Sequence, residues 1–406
     1  MAQRSTKPVA LWVVRRLRAA GFQALLAGGC VRDMLLGVRS TDYDVATDAT
    51  PPRVRKLFPH VLLVGAKFGV AMVIHRRQKV EVSTFRSDVS YSDGRRPDAV
   101  TFTTAAQDAR RRDFTINGLF YDPIAQRTID YVGGREDLRK GLIRTIGPAR
   151  QRFAEDYLRM IRAVRFAVRF DFAIAPATGS AIRRLAPRIR QISGERIFDE
   201  LSKMLARPSA GVAAAALHRY GLAREVLPEL FDREGVWDRA QAAVAAVAGE
   251  KDIVLALAAL LGGLGPETIA AILRRWGASN ELRAALCWMA GRMDLWPQAA
   301  EMELADFKRL LASPHFPRLR LLWQHLERAA TGRSACAARI ARRARSIPAG
   351  RIAPRPLLTG SDLKALGFAQ GPHLGRVLRA VYEAQLNERI STRRQAVVMV
   401  RRMQSQ

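Results

Sequence analysis

The sequence predicts an α+β fold in which a head of strands and helices is followed by an all-α remainder. Three observations carry that reading. Short apolar runs bounded by glycine or polar residues lie at 25–27, 69–75 and 80–85. Helical patterning without interruption sets in from Gln151. Farther on, from about residue 210, alanine and leucine dominate between turn signals at Gly221, Pro228, Gly262 to Gly265 and Pro314 to Pro317.

The head opens with an amphipathic helix over 9–20, closed by Gly21. Leu25, Leu26 and Ala27 form a strand that ends in Gly28 and Gly29, and a helix-like segment from Val31 to Leu36 follows, closed by Gly37. A strand, a glycine turn and a helix start let backbone N–H groups approach phosphate oxygens closely. Asp42-Tyr43-Asp44 then enters a second strand. Residues i and i+2 of a strand point to the same side, so Asp42 and Asp44 set two carboxylates side by side. Hard oxygen ligands of this kind suit Mg²⁺, which takes one or two carboxylates together with substrate phosphates. A glycine pair alone is only a turn, and two aspartates alone are only a solvated surface; it is their spacing that joins them.

Thr50, Pro51 and Pro52 begin a helix that reaches Phe58. Strands follow at 69–75 and 80–85, and in the second Glu81 and Ser83 share a face opposite Val80, Val82 and Thr84. Glu81 is either a third acidic member of the metal site or a carboxylate meeting solvent at a strand end. Residues 87–112 are polar and read as a mobile loop. Arg111-Arg112-Asp113-Phe114-Thr115-Ile116-Asn117 is a basic entry into an apolar element, and in isolation such a cluster is a solvated face. Ile129 to Leu138 is a strand that leaves through Gly133-Gly134 into a helix.

Residues 153–170 read as one helix with Asp156, Arg159, Arg162 and Arg165 at three-residue steps. Each step advances roughly 300°, so the four wind over one broad face. Taken as ion pairs on a solvated helix they stabilise by only ~0.2–0.5 kcal/mol each. Ile192-Ser193-Gly194-Glu195-Arg196-Ile197 starts another helix, in which Glu195 and Arg196 are structural. Residues 331–356 read as a basic connector, and the segment with glycines between Gly360 and Gly375 opens a long helix toward Gln385.

Net charge narrows the partners. The 406 residues carry a formal charge of +30, and nine of the 67 basic residues are lysines. A field of that sign favours a polyanion, with nucleic acid first, and a salt-sensitive affinity. No signal peptide and no apolar run of the ~20 residues needed to span a bilayer is present, so no membrane is expected. Cys30, Cys287 and Cys336 are scattered, which fits a reducing cytoplasm and excludes a zinc site. His75, His218 and His325 are singletons, and the lack of a His-Asp doublet argues against an appended metal phosphohydrolase domain.

Gly28-Gly29-Cys30-Val31-Arg32-Asp33 followed by Asp42-Tyr43-Asp44, then the Arg111 to Asn117 run, Glu155-Asp156-x-x-Arg159 and the 192–197 segment, resemble in order the motifs of class II tRNA nucleotidyltransferases and bacterial poly(A) polymerases, within the polymerase-beta superfamily. The resemblance covers 25–200 and, more weakly, the segment from Leu357. It implies a polymerase-beta-like nucleotidyltransferase head with a mixed sheet over 1–140, a nucleotide-reading helical neck over 141–210, a helical body over 211–330, and a basic connector with a tRNA-binding tail over 331–406. It further implies template-independent addition of CCA to the tRNA 3′ end from CTP and ATP. Asp42 and Asp44 would hold Mg²⁺, with Glu81 as a further catalytic acid. Gly29 and Arg32 would hold phosphates from the turn, and Arg112, Arg162 and Arg165 from the far side. Asp113 and Asn117 belong to the motif expected to contact ribose and triphosphate.

Asp156 and Arg159 would read the base. Cytosine and adenine both offer an amino donor beside a ring-nitrogen acceptor, so one carboxylate and one guanidinium can pair with either. Uracil and guanine present the opposite order, and each mismatched buried contact costs on the order of 1–3 kcal/mol. Within the family, Val64-Gly65-Ala66-Lys67-Phe68-Gly69 departs at Ala66 and Gly69 from the basic run usual in poly(A) polymerases, while the Tyr91 to Asp98 loop resembles that of enzymes able to switch from C to A. A full CCA-adding enzyme is therefore favoured, ahead of an A-adding enzyme and a poly(A) polymerase. A catalytically silent RNA-binding protein is the reading from another class, and the complete Asp42 and Asp44 pair argues against it.

Overall fold

The computed structural model describes residues 5–88 and 99–404, and the chain divides into two compact units, Met1–Asp232 with Arg275–Gly277, and Arg233–Arg274 with Ala278–Gln406. The Tyr91 to Asp98 loop lies outside the described residues.

The first unit is built on a mixed seven-stranded sheet. Helix α1 (Lys7–Ala19) buries Val9, Ala10, Val13, Val14 and Leu17 at helical spacing and turns at Gly21 into β1 (Ala24–Ala27). Helix α2 (Gly29–Leu35) leads to β2 (Asp44–Thr47), and α3 (Pro51–Leu57) leads to β3 (Val61–Gly65). Strands β4 (Val70–His75) and β5 (Gln78–Thr84) form a hairpin. A small pair, β6 (Arg86–Asp88) and β7 (Val100–Phe102), precedes α4 (Ala105–Arg110), β8 (Leu119–Asp122), β9 (Arg127–Asp130) and α5 (Gly134–Arg139). The order across the sheet is β3-β4-β5-β2-β1-β8-β9. Its one parallel pair is β2 with β5, in the register Val45 to Val82. Leu25, Ala27, Ala46, Phe85, Ala105, Ala109 and Phe120 pack together as a core beneath it.

Helices α6 (Ala149–Glu155), α7 (Leu158–Phe170), α8 (Pro176–Leu185) and α9 (Gly194–Leu205) continue the unit. The second unit is helical throughout its described residues, from Val236–Val247 to Arg393–Gln404. Its last three helices, with Leu358 just before them, bury Leu363, Val377, Val381, Ala396 and Val400 against one another.

Three expectations are corrected. The 87–112 stretch is not one loop, because it holds β6, β7 and α4; Ala105, Asp108 and Ala109 are buried at i, i+3 and i+4, and the polarity of Asp108 concealed that face. The helix expected over 153–170 is broken at Asp156, whose φ of −157° and ψ of 103° are extended. Residues 331–356 are not a plain connector. Ala335–Ser346 is a helix with Cys336, Ala337 and Ile340 buried. The buried Glu327 carboxylate caps it, accepting from the N–H groups of Cys336 and Ala337 at 2.8 Å each.

Candidate functional site

Sheet register assembles the acidic wall. Ala27 pairs with Asp44 across β1 and β2, and the Val45 to Val82 pairing puts Asp44 beside Glu81 of β5. Tyr43 and Val45 are buried while Asp42 and Asp44 are exposed; β2 starts only at Asp44, so Asp42 precedes the strand it was expected to enter. Desolvation raises the pKa of Asp44, the charges of Glu81 and Asp42 add to the rise, Arg112 opposes it, and the result is about 6. Asp44 and Glu81 form no direct ion pair among the described residues, and the charge that reaches Asp44 from the chain's own bases is that of Arg112. Among those residues no group of three or more His, Cys, Asp and Glu makes an all-protein metal cage. Two or three crowded carboxylates open to a substrate cleft fit a magnesium ion that completes its shell with phosphate oxygens.

The glycine turn stands over this wall. Gly28 has φ of +70°, the backbone conformation that calls for glycine, and a Cβ there would displace the Arg112 guanidinium, whose Nη1 it would meet at 2.7 Å. Gly29 begins α2, where a Cβ would find only Arg32 Nη2 at 3.6 Å. Between them and β2, the Cys30 thiol is pushed up to about 11 by burial, which keeps it protonated and unreactive.

The opposite wall is arginine. Eight arginines line one cleft of about 520 Å³ with Asp44, Glu81, Asp113 and Asp156. Six of the eight are held by buried acids. Asp108 accepts from Arg111 Nε at 2.8 Å and from Arg112 Nη2 at 3.0 Å. Asp113 accepts from Arg162 Nη2 at 2.7 Å and from Asn117 Nδ2 at 2.9 Å, and Asn117 Oδ1 accepts from Arg32 Nη1 at 2.5 Å. Asp113 and Asn117 thus join Arg32 of α2 to Arg162 of α7. Burial pushes Asp113 up, but Arg162 and Asn117 more than offset it and leave its pKa at about 2. Burial opposes the charge of Arg162, yet Asp113 and Glu200 restore it and hold its pKa above the ordinary value. Arg165 Nε donates to Glu200 at 2.5 Å, and its guanidinium lies over the Phe166 ring at 4.1 Å.

Asp156 and Arg159 share this cleft, but not as neighbours on one helix. Asp156 sits in the break between α6 and α7, where its carboxylate accepts from Leu158 N at 3.1 Å and from Arg196 Nη2 at 2.7 Å. Arg159, on α7, donates through Nη1 to Glu155 at 2.5 Å and to the Arg152 carbonyl at 2.9 Å. The break aims Asp156 independently of the helix, and Arg196 fixes its rotamer.

Gly29, Arg32, Asp44, Glu81, Arg112, Asp113, Asn117, Asp156, Arg159, Arg162 and Arg165 all line the cleft. Asp42 does not, and reaches the site through its charge on Asp44. Sequence reasoning placed Arg111 and Asp33 in motifs without giving either a role of its own, and passed over Arg86 and Arg169 in the lining and Asp108 and Glu200 behind it. The spacing of Asp108 to Arg111 and Arg112, i to i+3 and i+4, was the available signal for one of them. Arg169 donates to Asp33 at 3.0 Å, a partner remote in sequence that no local pattern reveals.

A family model described as the poly(A) polymerase head domain matches residues 24–144, and one described as a probable RNA and SrmB-binding site of polymerase A matches residues 171–233. A CCA-adding enzyme of Geobacillus stearothermophilus is 44% identical over 226 residues, 55% of each chain. Poly(A) polymerase I of Salmonella typhi is 41% identical over 236 residues, 54% of this chain and 50% of that protein. The matched region therefore spans about half the length of these curated relatives. The solved structure of the Bacillus stearothermophilus CCA-adding enzyme in complex with CTP superposes with a TM-score of 0.78 at 30% identity, covering 98% of this chain and 97% of that one.

Proposed function

Because the chain belongs to the family of CCA-adding enzymes and bacterial poly(A) polymerases, we propose that it adds CMP, CMP and AMP from CTP and ATP to the 3′ end of tRNA without a nucleic-acid template. The observation that carries this is the single cleft in which the Asp44 and Glu81 carboxylates face an arginine wall that also contains Asp156 and Arg159. Its four working parts then read as a head over 1–140, a neck over 141–210, a body over 211–330, and a connector and tail over 331–406.

Asp42 and Asp44 are the residues that would hold divalent metal, here Mg²⁺, with Glu81 beside them. When bound there, the ion would supply charge neutralisation at the triphosphate and a lower pKa for the attacking hydroxyl. The chain supplies position. Backbone N–H groups after Gly28 and the guanidinium of Arg32 hold phosphate oxygens on one side, and Arg112, Arg162 and Arg165 do so on the other. Their donors are already oriented by Asp108, Asp113 and Glu200, so little reorganisation is needed when the triphosphate binds. Asp113 and Asn117 set the rim on which the ribose rests.

Selection follows from Asp156 and Arg159. The carboxylate accepts from the amino group of cytosine or adenine, and the guanidinium donates to the adjacent ring nitrogen. Arg196, paired with the carboxylate at 2.7 Å, keeps it turned toward the base. Identity with poly(A) polymerase I makes A-only addition the second reading.

Incubation with tRNA ending before its CCA, or ending in CC, with labelled CTP and ATP separately and together, tests the assignment. Three added residues on the first RNA establish CCA addition. One A on the CC-ended RNA alone gives the A-adding enzyme, a long A tract gives a poly(A) polymerase, and binding without addition gives the silent RNA-binding protein.

A further inference from the structure

One end of the sheet in the first unit is cationic without any catalytic reason. His75 pairs with Gln78, so Arg76 and Arg77 alone connect β4 to β5. Their φ angles are 48° and 62°, the left-handed region that a two-residue turn of this kind demands at both positions. Asn-Gly satisfies that demand with least strain, and arginine does not. What Arg76 and Arg77 add to the turn is charge.

The neighbours share the sign. Helix α1 packs on α3 and β5, and α3 packs on β4. Residues 7–19, 51–57 and 75–79 together contain ten lysines and arginines and no aspartate or glutamate. Arg53, Arg55, Lys56, Arg76, Arg77 and Lys79 are exposed, and none of the six forms an ion pair among the described residues. The acid preceding α3, Asp48, accepts the Gln23 N–H at 2.8 Å.

The three elements form one fixed surface. Trp12 of α1 stacks on His75 with ring centroids 4.1 Å apart, and Arg16 Nε donates to the Leu57 carbonyl of α3 at 2.7 Å. Val70, at the other end of β4, lines the nucleotide cleft. Five strand steps at about 3.3 Å each separate the two, roughly 17 Å along the strand. A phosphate held at the hairpin is therefore not the reacting one. A lipid surface fits less well, because the apolar face of α1 is spent in the core and cannot insert.

We propose that this surface binds the sugar-phosphate backbone of the RNA at a segment remote from its 3′ end; naming RNA as the polyanion rests on the function proposed above. The contact is independent of sequence and adds affinity and register without touching the nucleotide.

The test is the double substitution Arg76→Asn with Arg77→Gly, which removes two charges while giving the turn its favoured residues. Thermal unfolding of the full chain is expected to be unchanged or later. Affinity for tRNA, measured by filter binding without nucleotide, is expected to fall roughly 10- to 60-fold near 0.1 M salt, and the slope of log K against log salt to flatten by about 1.8, at 0.9 per phosphate contact. Arg53→Gln with Arg55→Gln, which leaves the turn alone, is expected to act in the same direction. Wild-type affinity and slope in both variants overturn the proposal, as does a loss confined to vesicles of anionic phospholipid. Labelled-nucleotide addition by the wild-type chain is scored separately: normal salt slopes with no addition refute the enzyme reading and leave the RNA contact standing.

Discussion

Asp113→Asn is the substitution whose consequence can be worked furthest from the structure. The carboxylate is nearly buried and receives two guanidinium donors from Arg162 at 2.7 and 3.0 Å. Its pKa of about 2, against about 3.9 for an ordinary aspartate, corresponds to on the order of 2 kcal/mol of preference for the charged form in the folded chain. Neutralising it also leaves Arg162 buried beside only the longer contact to Glu200 at 3.5 Å, and breaking one side of a buried pair costs roughly 3–5 kcal/mol. A loss of about 3 kcal/mol is expected, or a Tm lower by roughly 6–12 °C for a unit of this size. Because the folded pKa lies below the unfolded one, the stabilisation is fully present above about pH 4 and disappears as pH falls through about 2. Calorimetric unfolding across pH should therefore show a constant gap between wild type and variant near neutrality that closes in acid. The companion change, Asp113→Asn with Arg162→Met, should recover part of the loss. A Tm drop below about 2 °C at neutral pH, or a gap that widens on acidification, refutes the hub described for Asp113.

Asp44→Ala should abolish nucleotide addition while tRNA affinity in filter binding stays near wild type. Chelation of divalent metal by EDTA should stop addition and leave the Tm of the protein unchanged. Asp156→Ala should blur the choice between CTP or ATP and UTP in single-nucleotide incorporation; undiminished rejection of UTP would defeat the protein-template idea. Arg196→Gln, which frees the Asp156 carboxylate, should act in the same direction with a smaller loss of selectivity. Glu327→Gln removes the charged cap of Ala335–Ser346 and should cost the second unit about 1–2 kcal/mol in denaturant unfolding.

What could be read from the sequence was whatever is local. The turn at Gly28, the alternation around Asp42 and Asp44 and the face of Glu81 and Ser83 each lie within a few residues, and the structure keeps all three. Asp156 shows where that reasoning stops. Residues 153–170 have the composition of one helix, and a helix would carry Asp156 on the face of Arg159. The chain instead leaves helical geometry at Asp156, and the partner that makes the break tolerable, Arg196, is forty residues on. The same holds for the arginine wall. In a chain with 67 basic and 37 acidic residues, arginines are too common for any one to signal a site. Six of the eight in the cleft have a buried acid behind them: Asp33 for Arg32 and Arg169, Asp108 for Arg111 and Arg112, Asp113 for Arg162, Glu200 for Arg165. A guanidinium with one edge tied to a buried carboxylate presents its remaining donors in a fixed direction. An arginine at the surface must lose side-chain entropy before it can do so. The convergence of four buried acids behind six arginines of one cleft, more than the number of bases, is what sets that cleft apart as the proposed grip for an anionic substrate.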